Sequence, residues 1–83
     1  MYEIAYSKLA LSNLKNIPTN DRQRIRTKIV DYAVNPKAHA HQVKMLKGRD
    51  GFRLRVGKWR VIFAVDGNIL EVLEVGARGS IYG

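Results

Sequence analysis

The stretch GFRLRVGKWRVIF, Gly51 to Phe63, leaves the backbone few choices. Apolar residues recur at every second position on both sides of Gly57-Lys58, which is the period of a β-strand. Gly57, first in a two-residue loop, suits a type II′ hairpin turn. The register that follows sets Val56 opposite Trp59, Arg55 opposite Arg60, Leu54 opposite Val61, Arg53 opposite Ile62 and Phe52 opposite Phe63. One face, with Phe52, Leu54, Val56, Trp59, Val61 and Phe63, is apolar and must be covered. The other puts two guanidinium groups directly across from each other, a pairing that costs roughly a few tenths of a kcal/mol. Such a cost calls for a reason.

The cover comes from upstream. Tyr2, Ile4 and Tyr6 alternate with Glu3 and Ala5 and read as a short strand. Ser7 is positioned to cap a helix whose stripe is Ala10, Leu14 and Ile17, broadened by Leu11 and stopped by Pro18. A second helix begins after Thr19 or Asn20, and Asn20 followed by Gln23 has the spacing of a capping box. Ile25, Ile29, Tyr32 and Ala33 form its stripe, and Asn35-Pro36 stops it. Lys37 to Gln42 is a connector without a period. Val43, Met45 and Lys47 suggest a short strand before the turn KGRDG, and Asp66-Gly67 marks a turn into a last strand, Ile69 to Val75. Gly76 to Gly83 reads as a loop. The expected fold is α+β: an N-terminal strand, a two-helix hairpin and a three- to four-stranded twisted antiparallel sheet with one open face, all in one domain, 1–83.

Charge is concentrated on the segment that holds the hairpin. The chain carries a net +8, and residues 37–60 contain eight cations against the single carboxylate Asp50. A positive field of this kind suggests a polyanion: nucleic acid, an acidic protein partner, or both. A membrane surface fits less well, because no long basic helix has a strongly apolar opposite side. Without cysteine there is no disulfide framework, zinc–thiolate site or cysteine nucleophile. MYEIAYSKLALSNLK resembles neither a signal peptide nor a membrane span, so the expected location is the cytoplasm. His39 and His41, with no partner cluster, read as loop histidines rather than metal ligands.

MLKGRDGFRLRVGKWRVIFAVDGNILEVLEVGARGSIY, Met45 to Tyr82, resembles the second half of toxins in the RelE/ParE superfamily of bacterial toxin–antitoxin systems. The shared order is a Leu-Lys-Gly turn, an aromatic and alternating basic strand, a Gly-x-aromatic-Arg hairpin, a Val-Gly pair, then Arg and Tyr. The N-terminal strand and helical hairpin extend the resemblance over essentially the whole chain. It implies the RelE-like microbial RNase fold, and in the RelE branch a metal-independent, cofactor-free endoribonuclease that cuts mRNA in the ribosomal A site. It also implies a cognate antitoxin, with no second copy of the chain required. The active positions carried over are Arg53, Arg55, Arg60, Arg78 and Tyr82. The ParE branch has the same fold and poisons DNA gyrase instead. RelE-type enzymes often have lysine where this chain has Arg53 and Arg55. Arginine stays protonated, so a general-base lysine has no counterpart at either position.

Several positions have plainer readings. Arg78 has Glu71 and Glu74 as candidate ion-pair partners, Tyr82 is a candidate aromatic plug, and Trp59 is most simply core. Lys44, Lys47, Arg49 and Lys58 are candidate RNA contacts that would add salt-dependent affinity rather than chemistry. Three functions remain open: a ribosome-dependent mRNA endonuclease, a gyrase-directed toxin, and a non-catalytic RNA- or ribosome-binding module.

Overall fold

The computed structural model describes residues 1–79. Strand β1 (Glu3–Tyr6) is followed by helices α1 (Lys8–Lys15) and α2 (Thr19–Val34), then a 3₁₀ helix (Pro36–Gln42) and strands β2 (Val43–Met45), β3 (Phe52–Val56), β4 (Trp59–Asp66) and β5 (Ile69–Ala77). The five strands form one sheet in the order β1-β5-β4-β3-β2. Neighbours are antiparallel except that β1 runs parallel to β5. Among the described residues, no helix is long and apolar enough to cross a membrane.

The hairpin has the register that its alternation predicts, from Val56 opposite Trp59 to Phe52 opposite Phe63. Gly57 takes the left-handed φ of +59°, and Lys58 does not have a positive φ. A type I′ turn needs two such residues and a type II′ turn only the first, so the loop is of the II′ kind. The β4–β5 turn is built the same way. Gly67 comes first and Asn68 second between the paired Asp66 and Ile69, so the turn lies one residue later than an Asp66-Gly67 loop.

Both helices lie over one face of the sheet. Ala10 and Leu14 from α1 and Ile17 from the turn after it join Ile25, Ile29 and Ala33 from α2 and Leu54, Val56, Val61, Phe63, Leu70, Val72 and Val75 from the strands in one core. Phe63 sits at its centre, with the rings of Tyr32 and Phe52 centred 5.3 and 5.4 Å away. Trp59 is only half-buried against this cluster, and the Lys58 ammonium lies 5.4 Å from the centre of its ring.

Ser7 caps α1 as its position suggests, its Oγ accepting from the Ala10 amide at 3.0 Å. Helix α2 has no such cap. Pro18 accepts the first helical bond from the Arg22 amide, so the helix starts at Thr19 and Asn20 lies inside it; the expected capping box does not form. Three further elements depart from the local reading. The connector 37–42 is 3₁₀ helix, Lys47 lies outside β2, and β5 continues to Ala77, so the final loop starts later than Gly76.

Strand β5 also contains a bulge. Ile62 pairs with Glu74 and Phe63 with Val72, so Leu73 has no partner on β4. The extra residue shifts the alternation: Leu70 and Val72 face the core before it and Val75 after it. Helix α1 satisfies the backbone groups thus displaced. The Ser7 hydroxyl donates to the Leu73 carbonyl at 2.7 Å, and the Val75 amide donates to Asn13 Oδ1 at 3.0 Å.

Candidate functional site

The face of the sheet away from the helices gathers the arginines by strand pairing. One row across it runs Lys44, Arg53, Ile62 and Glu74 from β2 to β5. The next runs Arg55, Arg60 and Gly76. Beyond the bulge, Glu74 and Gly76 point to this face, so Arg60 has a guanidinium on one side and no side chain on the other. Ile62 is only 1% exposed yet lies outside the main apolar cluster, between Arg53 and Glu74. Long stems on neighbouring strands can cover such a residue while their charged ends stay in water.

Between these rows and the end of the 3₁₀ helix lies a cleft of about 220 Å³, lined by His41, Gln42, Lys44, Arg53, Arg55 and Arg60. No carboxylate among the described residues lines it. Among the described residues the one ion pair is Arg24–Asp21 at 3.8 Å, within α2, so no lining arginine is neutralised by the chain's own acids. Arg60 bears most of the consequence. Burial lowers its pKa from the ordinary guanidinium value, and the charges of Arg53, then Arg78 and Arg55, push it further the same way. Its Nη1 is buried with no hydrogen-bond partner among the described residues. Buried polar atoms in folded proteins are nearly always paired, and a charged one is costly to leave unmatched. A half-buried, still-charged guanidinium among three others can accept an anion from outside, and the phosphate group is one whose geometry matches its fork of donors.

Arg53, Arg55 and Arg60 thus meet as their alternation predicts. Arg78 stands just past β5, exposed, its amide donating to the Lys58 carbonyl at 2.8 Å. It does not line the cleft, though its charge reaches Arg60. It makes no ion pair with Glu71 or Glu74. Tyr82 lies outside the described residues. Of the candidate RNA contacts, Lys44 lines the cleft, Lys47 and Arg49 are exposed on the β2–β3 loop, and Lys58 is on the hairpin turn. No group of three metal-ligating side chains clusters among the described residues.

His41 and Gln42 are the residues that the sequence reading misses. A histidine placed far from the arginines in an aperiodic connector instead forms part of the cleft wall. The pairing of β2 with β3 is what reveals it, and neither segment carries a local period for that pairing. Val43 opposite Leu54 and Lys44 opposite Arg53, continued by one residue, bring Gln42 alongside Arg55.

The sequence profile of the ParE toxins of type II toxin–antitoxin systems matches residues 4–82. No curated protein matches the chain by sequence. The fold is similar to that of the archaeal RelE–RelB complex from Pyrococcus horikoshii, with 23% identity, a TM-score of 0.78, and 96% of this chain and 98% of that chain covered. It is also similar to the RelB–RelE antitoxin–toxin complex from Methanococcus jannaschii, with 26% identity, a TM-score of 0.74 and 92% of each chain covered. A third likeness is to the intact Escherichia coli RelBE toxin–antitoxin complex, with 21% identity, a TM-score of 0.69, and 93% of this chain and 96% of that chain covered. With a profile that spans nearly its whole length and a sheet and helical hairpin arranged as in RelE, the chain belongs to the ParE family of type II toxin–antitoxin toxins, within the RelE/ParE superfamily.

Proposed function

We propose that this toxin is a ribosome-dependent endoribonuclease that cuts mRNA in the A site and so stops translation. The observation that carries the reading is the cleft in which Lys44, Arg53, Arg55 and Arg60 converge with no carboxylate among them. RNA supplies its own nucleophile: the 2′-oxygen bonds to the adjacent phosphorus, the P–O5′ bond breaks, and a 2′,3′-cyclic phosphate and a 5′-hydroxyl remain. Fixed guanidinium groups stabilise the charge that builds on the phosphorane. In this scheme Arg53, Arg55 and Arg60 grip the scissile and neighbouring phosphates. Arg78, beyond the end of β5, stabilises the departing oxygen, and Tyr82 stacks on a base or assists the 2′-hydroxyl. The ribosome bends the message into in-line geometry, a positioning effect that suits a site poor in acid–base groups. Cleavage of free RNA is therefore expected to be weak.

The RelE–RelB complexes among the similar structures support a cognate antitoxin for this chain too. Its net charge of +8 favours an acidic partner, or one whose apolar helix wraps the basic surface.

The match to the ParE profile favours a second reading, in which the same basic surface engages DNA gyrase and cuts nothing. Purified protein added to a translation extract separates the two. Codon-phased 5′ ends on the messages, lost in Arg60→Ala and Arg78→Ala variants that stay folded, support the nuclease. Intact message with stalled supercoiling supports the gyrase reading, and binding to ribosomes without either outcome leaves a non-catalytic module.

A further inference from the structure

We propose that His41 is the proton acceptor of the cationic cleft, taking the proton of the attacking 2′-hydroxyl; the inference rests on the nuclease reading above. His41 is the penultimate residue of the 3₁₀ helix and lines the same cleft as Arg53, Arg55 and Arg60. Among the other described lining residues, guanidinium groups stay charged and a glutamine amide does not titrate, which leaves the Lys44 amine and the His41 imidazole as the possible bases. Imidazole is the side chain that exchanges a proton in the physiological range. The charged groups that share the cleft with it are Lys44 of β2, Arg53 and Arg55 of β3 and Arg60 of β4, and no charged residue of α2 lines it.

Placement makes the role specific. The strand order sets β2 and β5 on opposite flanks of the Arg55–Arg60 pair. His41 and Gln42 lead into β2, and Arg78 follows β5, at the same end of the sheet. In-line displacement needs the attacking and leaving oxygens on opposite sides of phosphorus. A phosphate held by the arginines then has a base on one side and a cation for the leaving oxygen on the other. As the 2′-oxygen bonds to phosphorus, its proton moves to the imidazole. The electron pair of the breaking P–O5′ bond stays on O5′, which takes a proton from water, and the imidazolium returns its own proton to solvent.

The test is single-turnover cleavage on mRNA-programmed ribosomes from about pH 6 to 8.5, with wild-type, His41→Ala and His39→Ala proteins of matched thermal stability. His41→Ala is expected to cut at the same sites about 10²- to 10⁴-fold more slowly. It should lose the rise of rate with pH and recover part of the rate when imidazole is added. His39→Ala, whose residue does not line the cleft, should behave as wild type. An unaltered rate in His41→Ala, or a slower one that keeps the wild-type pH profile, overturns the assignment and leaves the nuclease reading intact. Wild-type protein that cuts nothing overturns both.

Discussion

Arg60 is held in a place that folding alone does not favour. It lies half-buried between Arg55 and Gly76, with its Nη1 unpaired among the described residues and its pKa depressed by burial and by three neighbouring cations. A depressed value for a basic group means that the folded state disfavours the charged form. Arginine nevertheless stays charged far above neutral pH, so the cost is constant across the physiological range and is not relieved by titration there. Replacing a half-buried, unmatched charge by an apolar side chain of similar length commonly stabilises. Arg60→Met is therefore expected to gain about 0.5–2 kcal/mol, seen as a rise in Tm of roughly 4–8 °C per kcal/mol in a domain of this size. Sulfate or phosphate should raise the Tm of the wild type more than that of the variant, because only the wild type has the full anion cradle. A variant less stable than wild type at every sulfate concentration would make Arg60 a structural residue.

At the scale of elements, α1 and β5 are joined through the bulge rather than by apolar packing alone. Ser7 caps the helix and donates to the Leu73 carbonyl, while Asn13 accepts from the Val75 amide. Ser7→Ala removes the cap and leaves that carbonyl without its donor, a loss of about 1–2 kcal/mol. Asn13→Ala strands a strand amide, at about 1–3 kcal/mol. Denaturant titration should show both as lowered midpoints with unchanged slopes. The Ser7 cap was legible because it depends on residues a few places away. So were the helix stripes and the β3–β4 register, where alternation and Gly57 agree. The bulge, the parallel β1–β5 pairing and the β2–β3 pairing were not, since distant partners leave no period in either segment. Those same pairings bring His41 and Lys44 to Arg53, so the missed part of the cleft has the same physical cause as the missed part of the fold.

Across the whole molecule, the open face of the sheet is electrically two-ended. Lys44, Arg53, Arg55 and Arg60 crowd one end, while Ala5, Ala64, Asp66, Ile69 and Glu71 line a groove of about 320 Å³ at the other. On the proposed nuclease reading, an RNA strand would be drawn to the first end and repelled from the second, so the field would orient it as well as attract it. The cations outside the cleft contribute differently from those within it. Lys47 and Arg49 lie on an exposed loop, where a contact to phosphate adds affinity through released counterions without touching the reacting bond. For single-stranded RNA each such contact steepens the log–log salt dependence of binding by about 0.7. Lys47→Ala and Arg49→Ala should flatten that slope by roughly this amount each and leave the rate of cleavage at saturating ribosome concentration unchanged. Arg53→Ala and Arg55→Ala should flatten it similarly and also lower the saturated rate, because in the proposed scheme their phosphates include the one that reacts. Fluorescence anisotropy on a short RNA over a salt series, set beside single-turnover cleavage, resolves the two classes. If all four variants moved affinity alone, the cleft would hold RNA without reacting with it, and the protein would be a binding module built on a nuclease scaffold.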